Sequence, residues 1–458
     1  MQSFLSLEKT ALIVVMLANL LTPFMSSAIN LAVPAIGAEL GGSTVLLSWL
    51  VASYSLAAAG FMLPFGRLAD IVGRRKIFVG GMFLFSLFTL LSGAAWSMPS
   101  MILFRVCQGI ASSLIFSTGV AIVSSVYPAN RRGRAMGMTG ACAFIGLSLG
   151  PVLGGFMSHE FGWRSIFYLT AAAGLLATLL AAWRLKAEWA DARGEKFDFV
   201  GSVCYIVALA ATLYGFSAVC QAEWGRYVLA AGLVLMAIFL GYEARQESPI
   251  FHVALFRHNK ALTFANIAAL ISYSATFAIA FLVSLDLQVV RGYDARVAGF
   301  ILLSQPLMMA VLAPFTGTLS DRVEPRLLAS WGLGLTTLGL SIFIFTTADT
   351  ALWVTAANLV LVGVGAALFT VPNNNAIMCS VGKEHYGVAS SMMGTMRLVG
   401  GAVSMAIVTL VLSVYAGDAG PGRDNAPLLA AAARTAYGVL AVICLAGVFA
   451  SLAGKNKK

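Results

Sequence analysis

The chain has 458 residues, of which 59% are hydrophobic and only 10% charged. Soluble domains carry roughly 25% charged residues, so 29 basic and 19 acidic side chains cannot cover a water-facing surface of this size. That excludes most soluble enzymes, and with them disordered, collagen-like and coiled-coil chains, and leaves an all-α polytopic membrane protein with the lipid bilayer as solvent.

A helix crosses the hydrocarbon with about 20 apolar residues. Fourteen such runs lie near 11–33, 45–65, 77–97, 100–126, 135–157, 165–183, 198–219, 227–243, 262–289, 297–319, 327–347, 351–373, 388–414 and 434–454. The first is too long for a signal-peptide core and reads as a retained helix. Span 2 runs out into Gly66-Arg67-Leu68-Ala69-Asp70, followed by Gly73-Arg74-Arg75-Lys76. Glycines there let helices and a tight turn approach closely. Asp70 can accept from a helix N-terminus, and the arginines can pair with carboxylates. Span 4 carries Arg105 and Gln108, and an arginine within a span needs a partner or water. Span 5 holds Gly146-x-x-x-Gly150-Pro151-x-x-Gly154-Gly155, a flat face for a neighbouring helix. Asp286 in span 9 is the one acid clearly inside a span, and Arg397 lies near the middle of span 13.

Several functions drop out. No basic stripe with interleaved aromatics exists, so the net charge of +10 does not point to nucleic acid. The histidines show no HExxH and the cysteines no CxxC, so no metal or other cofactor is expected. An ATP-driven pump needs a phosphate loop, which is absent. A lone buried acid argues against an intramembrane transferase working on metal-diphosphates. With the N-terminus inside, 21 of the 29 basic residues fall in inner segments and six in outer ones. This bias predicts both termini in the cytoplasm and an even span count.

The chain also repeats. The loop 66–75 matches 317–326 at five of ten positions, including Gly317, Asp321 and Arg326. Gly133, Ala135, Met138, Gly140 and Gly146 recur as Gly387, Ala389, Met392, Gly394 and Gly400. Spans 1–6 therefore resemble spans 9–14, with spans 7 and 8 inserted. The expected organisation is a six-helix bundle over 1–184, a linker with two extra helices over 185–260, and a second six-helix bundle over 261–458. Duplicated halves with the site between them are transporter architecture.

These motifs resemble the major facilitator superfamily, and more narrowly its fourteen-span drug:proton antiporter branch, over nearly the whole length. The resemblance implies the major facilitator fold, two six-helix bundles plus two central helices, and no enzyme activity. It implies a conformational latch at Gly66, Arg67, Asp70, Gly73, Arg74 and Arg75, with Asp321 and Arg322 in the second copy. It implies a span-4 arginine, Arg105, linked to proton coupling, and an antiporter motif at Gly146, Gly150, Pro151, Gly154 and Gly155. Two departures stand out. The branch places an aspartate in span 1, where this chain has Met25 ahead of Asn30-Leu31-Ala32-Val33-Pro34. Span 9 has Asp286 where the branch commonly has tyrosine. Asp286 is therefore expected to face Arg105 across the cavity and to couple transport to protons; the alternative is that it fixes Arg291 or Arg296.

Further cavity candidates are Tyr54, Gln108, Tyr273, Phe277, Phe281, Gln288, Gln305 and Arg397, the last able to meet an anionic group. The expected function is proton-coupled export of amphiphilic, drug-like compounds (multidrug efflux by antiport). An exporter or facilitator of one metabolite or lipid, with weak or no proton coupling, is the alternative. Expected partners are a small-molecule substrate, protons and the lipid bilayer of the plasma (inner) membrane, with the protein a monomer.

Overall fold

The computed structural model describes residues 7–41, 44–219, 223–416 and 426–454. Among them fourteen helices are long and apolar enough to cross a membrane. They are span 1 (Leu7–Leu40), span 2 (Leu46–Val72), span 3 (Arg74–Gly93), span 4 (Met98–Val126), span 5 (Ala129–Glu160), span 6 (Arg164–Arg184) and span 7 (Phe199–Ala218). Then come span 8 (Glu223–Glu243), span 9 (Lys260–Val290), span 10 (Arg296–Ser320), span 11 (Pro325–Ile344), span 12 (Leu352–Cys379), span 13 (Lys383–Tyr415) and span 14 (Pro427–Ala453). No strand occurs among the described residues. A helix satisfies its own backbone in lipid, which is why a chain this apolar folds this way.

Several helices outrun their apolar cores. Span 5 starts at Ala129 and so carries Arg131, Arg132 and Arg134 on its first turns. Prolines 23, 34, 64, 151, 314 and 372 all sit inside helices. Span 9 is interrupted after Thr276, resumes at Ile279, and ends in a π-helical turn, Asp286–Val290, where the Arg291 N–H reaches the Asp286 carbonyl at 2.9 Å.

Packing depends on small residues. Span 5 lies along span 1 because Gly146 meets the Leu20 carbonyl, Gly150 meets Ser27 and Gly154 meets Ala28, with no room for a Cβ at any of them. In hydrocarbon, such close backbone approach supplies the dispersion contacts that hold helices together. One apolar core fills the first six spans and continues across the interface to Ala313, Val371, Ile377 and Tyr386, and a second lies within spans 9–14. A third joins span 2 (Ala59, Leu63), spans 7 and 8 (Tyr205, Leu209, Leu213, Phe239) and span 13 (Val388, Met392). The loops that follow even-numbered spans share one end of the molecule. It is called the basic end here, since most of the arginines and lysines cluster there.

Candidate functional site

At the basic end the two halves meet through two matching contacts. The Asp70 carboxylate, at the end of span 2, accepts from the Gly387 N–H at 2.9 Å and from the Val388 N–H at 3.2 Å, in the first turn of span 13. The Asp321 carboxylate, at the end of span 10, accepts from the Gly133 N–H at 2.7 Å and the Arg134 N–H at 2.9 Å, in the second turn of span 5. Asp70 satisfies helix-start N–H groups that have no partner in their own helix, and both acids sit near the positive end of a helix dipole. The glycines make the approach possible. A Cβ at Gly66 would come within 2.5 Å of the Gly387 carbonyl oxygen, and one at Gly133 within 2.5 Å of that of Gly317.

The arginines of the first loop pair with acids on their own side of the interface. Arg74 is fully buried, with Nη2 2.7 Å from Asp70 and Nη1 2.8 Å from Asp191. Across the interface it donates to the Lys383 carbonyl and lies 5.4 Å from the centre of the Tyr386 ring. Arg67, also fully buried, pairs with Glu195. Arg75 donates to the Leu185 and Ala182 carbonyls. The segment after span 6 folds beneath this loop, with the Arg74 N–H on the Trp189 carbonyl and the Ala192 N–H on the Asp70 carbonyl. Its acids intercept the arginines before they can reach the other half. Gly73 has φ +127°, a conformation that favours glycine. Arg322, grouped with the latch from its place in the second loop, is exposed and makes no ion pair among the described residues.

Arg132 went unremarked in the sequence. It is buried and reaches across the halves to the Met378 carbonyl at 3.2 Å and the Tyr386 hydroxyl at 2.9 Å. A signal existed: Arg132 precedes Gly133 as Tyr386 precedes Gly387, so the repeat itself places the two residues opposite each other.

Asp286 and Arg105 do not face each other. Asp286 pairs with Arg291 at 2.8 Å and lines a cavity of about 280 Å³ with Phe343, Thr346, Arg434 and Tyr437, inside the second half and away from the basic end. Arg105 is fully buried within the first half. Its guanidinium donates to the Leu50 carbonyl at 3.2 Å and to Gln108 at 2.6 Å, and lies 4.4 Å over the Tyr54 ring. Helix rotation points each into its own bundle. The alternative, Asp286 fixing Arg291, is the contact present. Gln108 likewise turns inward, to the Thr89 hydroxyl at 2.6 Å on span 3.

Arg397 does lie between the halves. It is half-buried, and its guanidinium stands 4.9 Å from the Phe116 ring of span 4. Tyr54 of span 2 and Tyr273 of span 9 are within its electrostatic reach. Met25 is fully buried in the first core. Asn30, Phe277, Phe281 and Gln288 are exposed on the protein surface, Phe277 packing on Gly401 and Gln288 bonding Ser284. Gln305 is half-buried, with its backbone against Gly363.

The sequence matches the model of the Major Facilitator Superfamily over residues 15–405 and 262–457. The chain belongs to the major facilitator superfamily. It is 28% identical over 440 residues to the riboflavin transporter RibZ of Clostridioides difficile, covering 95% of each chain. It is 33% identical over 393 residues to the multidrug resistance protein Stp of Mycobacterium tuberculosis, covering 84% of this chain and 72% of that one. The fold resembles the solved structure of the proton:xylose symporter XylE, with a TM-score of 0.68 at 14% identity, covering 97% of this chain and 94% of that one. As a superfamily member the protein is a multi-pass membrane transporter for small molecules.

Proposed function

We propose that this transporter is a secondary active exporter of amphiphilic organic compounds, working by alternating access of its two halves. The observation that carries the reading is the paired contact at the basic end. Asp70 on the span-13 N-terminus and Asp321 on the span-5 N-terminus are related by the internal repeat, so both release together when the halves rock. Hydrogen bonds of this kind are reversible, and the close glycine approach requires one discrete closed state rather than a continuum. The basic end is the cytoplasmic end of a plasma-membrane protein on this reading, because translocation leaves arginines and lysines inside. The glycine face of span 5 agrees with the antiporter motif, and the similarity to a multidrug resistance protein agrees with a drug-like substrate. The similarity to a riboflavin transporter supports the second reading, in which the substrate is one physiological metabolite.

Proton coupling is assigned to the Asp286–Arg291 pair, at the π-helical turn beside a cavity. Binding a proton there neutralises the acid and frees Arg291, a local charge change that can bias the two halves. The test is dye movement in proteoliposomes under an imposed pH gradient, with and without a protonophore. Wild type is expected to move dye in response to the gradient, and Asp286→Asn to lose that response. An unchanged response in the variant removes Asp286 from the mechanism. Dye movement indifferent to the gradient in wild type favours the uncoupled reading.

A further inference from the structure

Several charges held within the spans have partners among the described residues. Arg67 has Glu195, Arg74 has Asp70 and Asp191, and Asp286 has Arg291. Arg105 has no acid but is enclosed by a carbonyl, an amide and a ring. Arg397 is different. No carboxylate among the described residues lies within ion-pair distance of it, and its only close partner is the face of Phe116, across the interface. Counting 1.5 Å per residue from Tyr386 puts it roughly 16 Å into its span. Among the described residues, every acid in a span lies within about one turn of a span end, so none shares its depth.

An uncompensated cation at that depth is costly, and a negative group seated beside it recovers that cost. Arg105 does not share this space, since it is enclosed in the first half with its guanidinium over the Tyr54 ring. Arg397 thus makes the space between the halves positive, with the Phe116 ring of the first half against it and Tyr54 and Tyr273 within its electrostatic reach. A guanidinium offers a planar fork of donors that matches a carboxylate in two-point contact. Resting on the exporter reading above, we propose that Arg397 is the anion subsite of the transport path and that the substrates are aromatic organic carboxylates.

The test uses matched probes: naphthalene, anthracene and pyrene carboxylates, their methyl esters, and their aminomethyl analogues. Binding is read from ligand-dependent thermal shifts of the purified full chain. Carboxylates are expected to bind wild type about ten-fold tighter than their esters, the scale of one charge-assisted contact. Arg397→Gln removes that margin and leaves ester binding within about two-fold, whereas Arg397→Lys, which keeps the charge but not the fork, retains part of it. The proposal is overturned if no carboxylate outbinds its ester on wild type, or if Arg397→Gln weakens acid and ester alike. Proteoliposome efflux of the same probes separates the two readings. Esters or amines carried without carboxylate preference leave the exporter standing and sink the anion subsite. Failure to carry any probe, with carboxylate binding intact, counts against export alone.

Discussion

Asp70 and Asp321 do the same task in the two halves with different surroundings. Both accept two backbone N–H groups from a helix start in the opposite half. Asp70 is also the close partner of Arg74, and both side chains are fully buried. Asp321 has no arginine of its own, since Arg322 points outward. Removing Asp321 therefore costs about 1 kcal/mol, the value of a carboxylate at a helix N-terminus. Removing Asp70 leaves a buried guanidinium with Asp191 alone and costs about 3 kcal/mol. Denaturation midpoints of Asp70→Ala and Asp321→Ala should rank in that order. Equal losses would mean that Arg74 draws its stabilisation from the 185–198 segment instead.

At the scale of elements, the inserted region is more than a tether. Span 7, backed by span 8, packs on spans 2 and 13, the helices whose ends make the Asp70 contact, and the Tyr205 hydroxyl lies 3.3 Å from Thr395. The segment after span 8 adds His252, whose ring is 4.5 Å from that of His385. Burial, with smaller contributions from His385 and Arg67, pushes the His252 pKa down to about 4. The unfolded ring titrates at about 6.5. Between those values the unfolded chain binds a proton that the folded ring refuses, so stability rises with pH across this window. The contribution is complete above about 6.5 and erodes as pH falls towards 4. His252→Gln should show a smaller drop in melting temperature between pH 7 and pH 5 than wild type, measured in the same detergent. Identical slopes would place the acid sensitivity elsewhere in the fold.

For the whole molecule, the glycine contacts determine how closely the halves can approach at the basic end. A larger side chain at Gly133 or Gly317 meets backbone of the other half, which cannot swing aside as a flexible side chain would. Gly133→Leu and Gly317→Leu should each shift the population towards the state open at the basic end. Spin-label distances between the loops after spans 4 and 10 would lengthen by several ångström and those at the opposite end would shorten. Unchanged distances would show that the halves close on some other contact. The same change on the outward side of span 5, away from the interface, serves as the control.

The fourteen spans, the repeat and the family were legible in the sequence, because lipid allows few backbone solutions and imposes long apolar runs, small packing residues and a charge bias. The aspartates and glycines of the two loops were legible too, since each is dictated by a local demand: a helix start to satisfy, a close approach to permit. Helix rotation was not. Asp286 and Arg105 turn into separate bundles, because which face of a span meets a neighbour is chosen by every helix around it. The partners of Arg67 and Arg74 were hidden for a related reason, as the 185–198 segment carries no periodic pattern to reveal where it folds. Apolar length and spacing along the chain thus determined the number of spans and the family. Only the packing of those spans decided which of the rare charges are neutralised within a bundle and left Arg397 between the two.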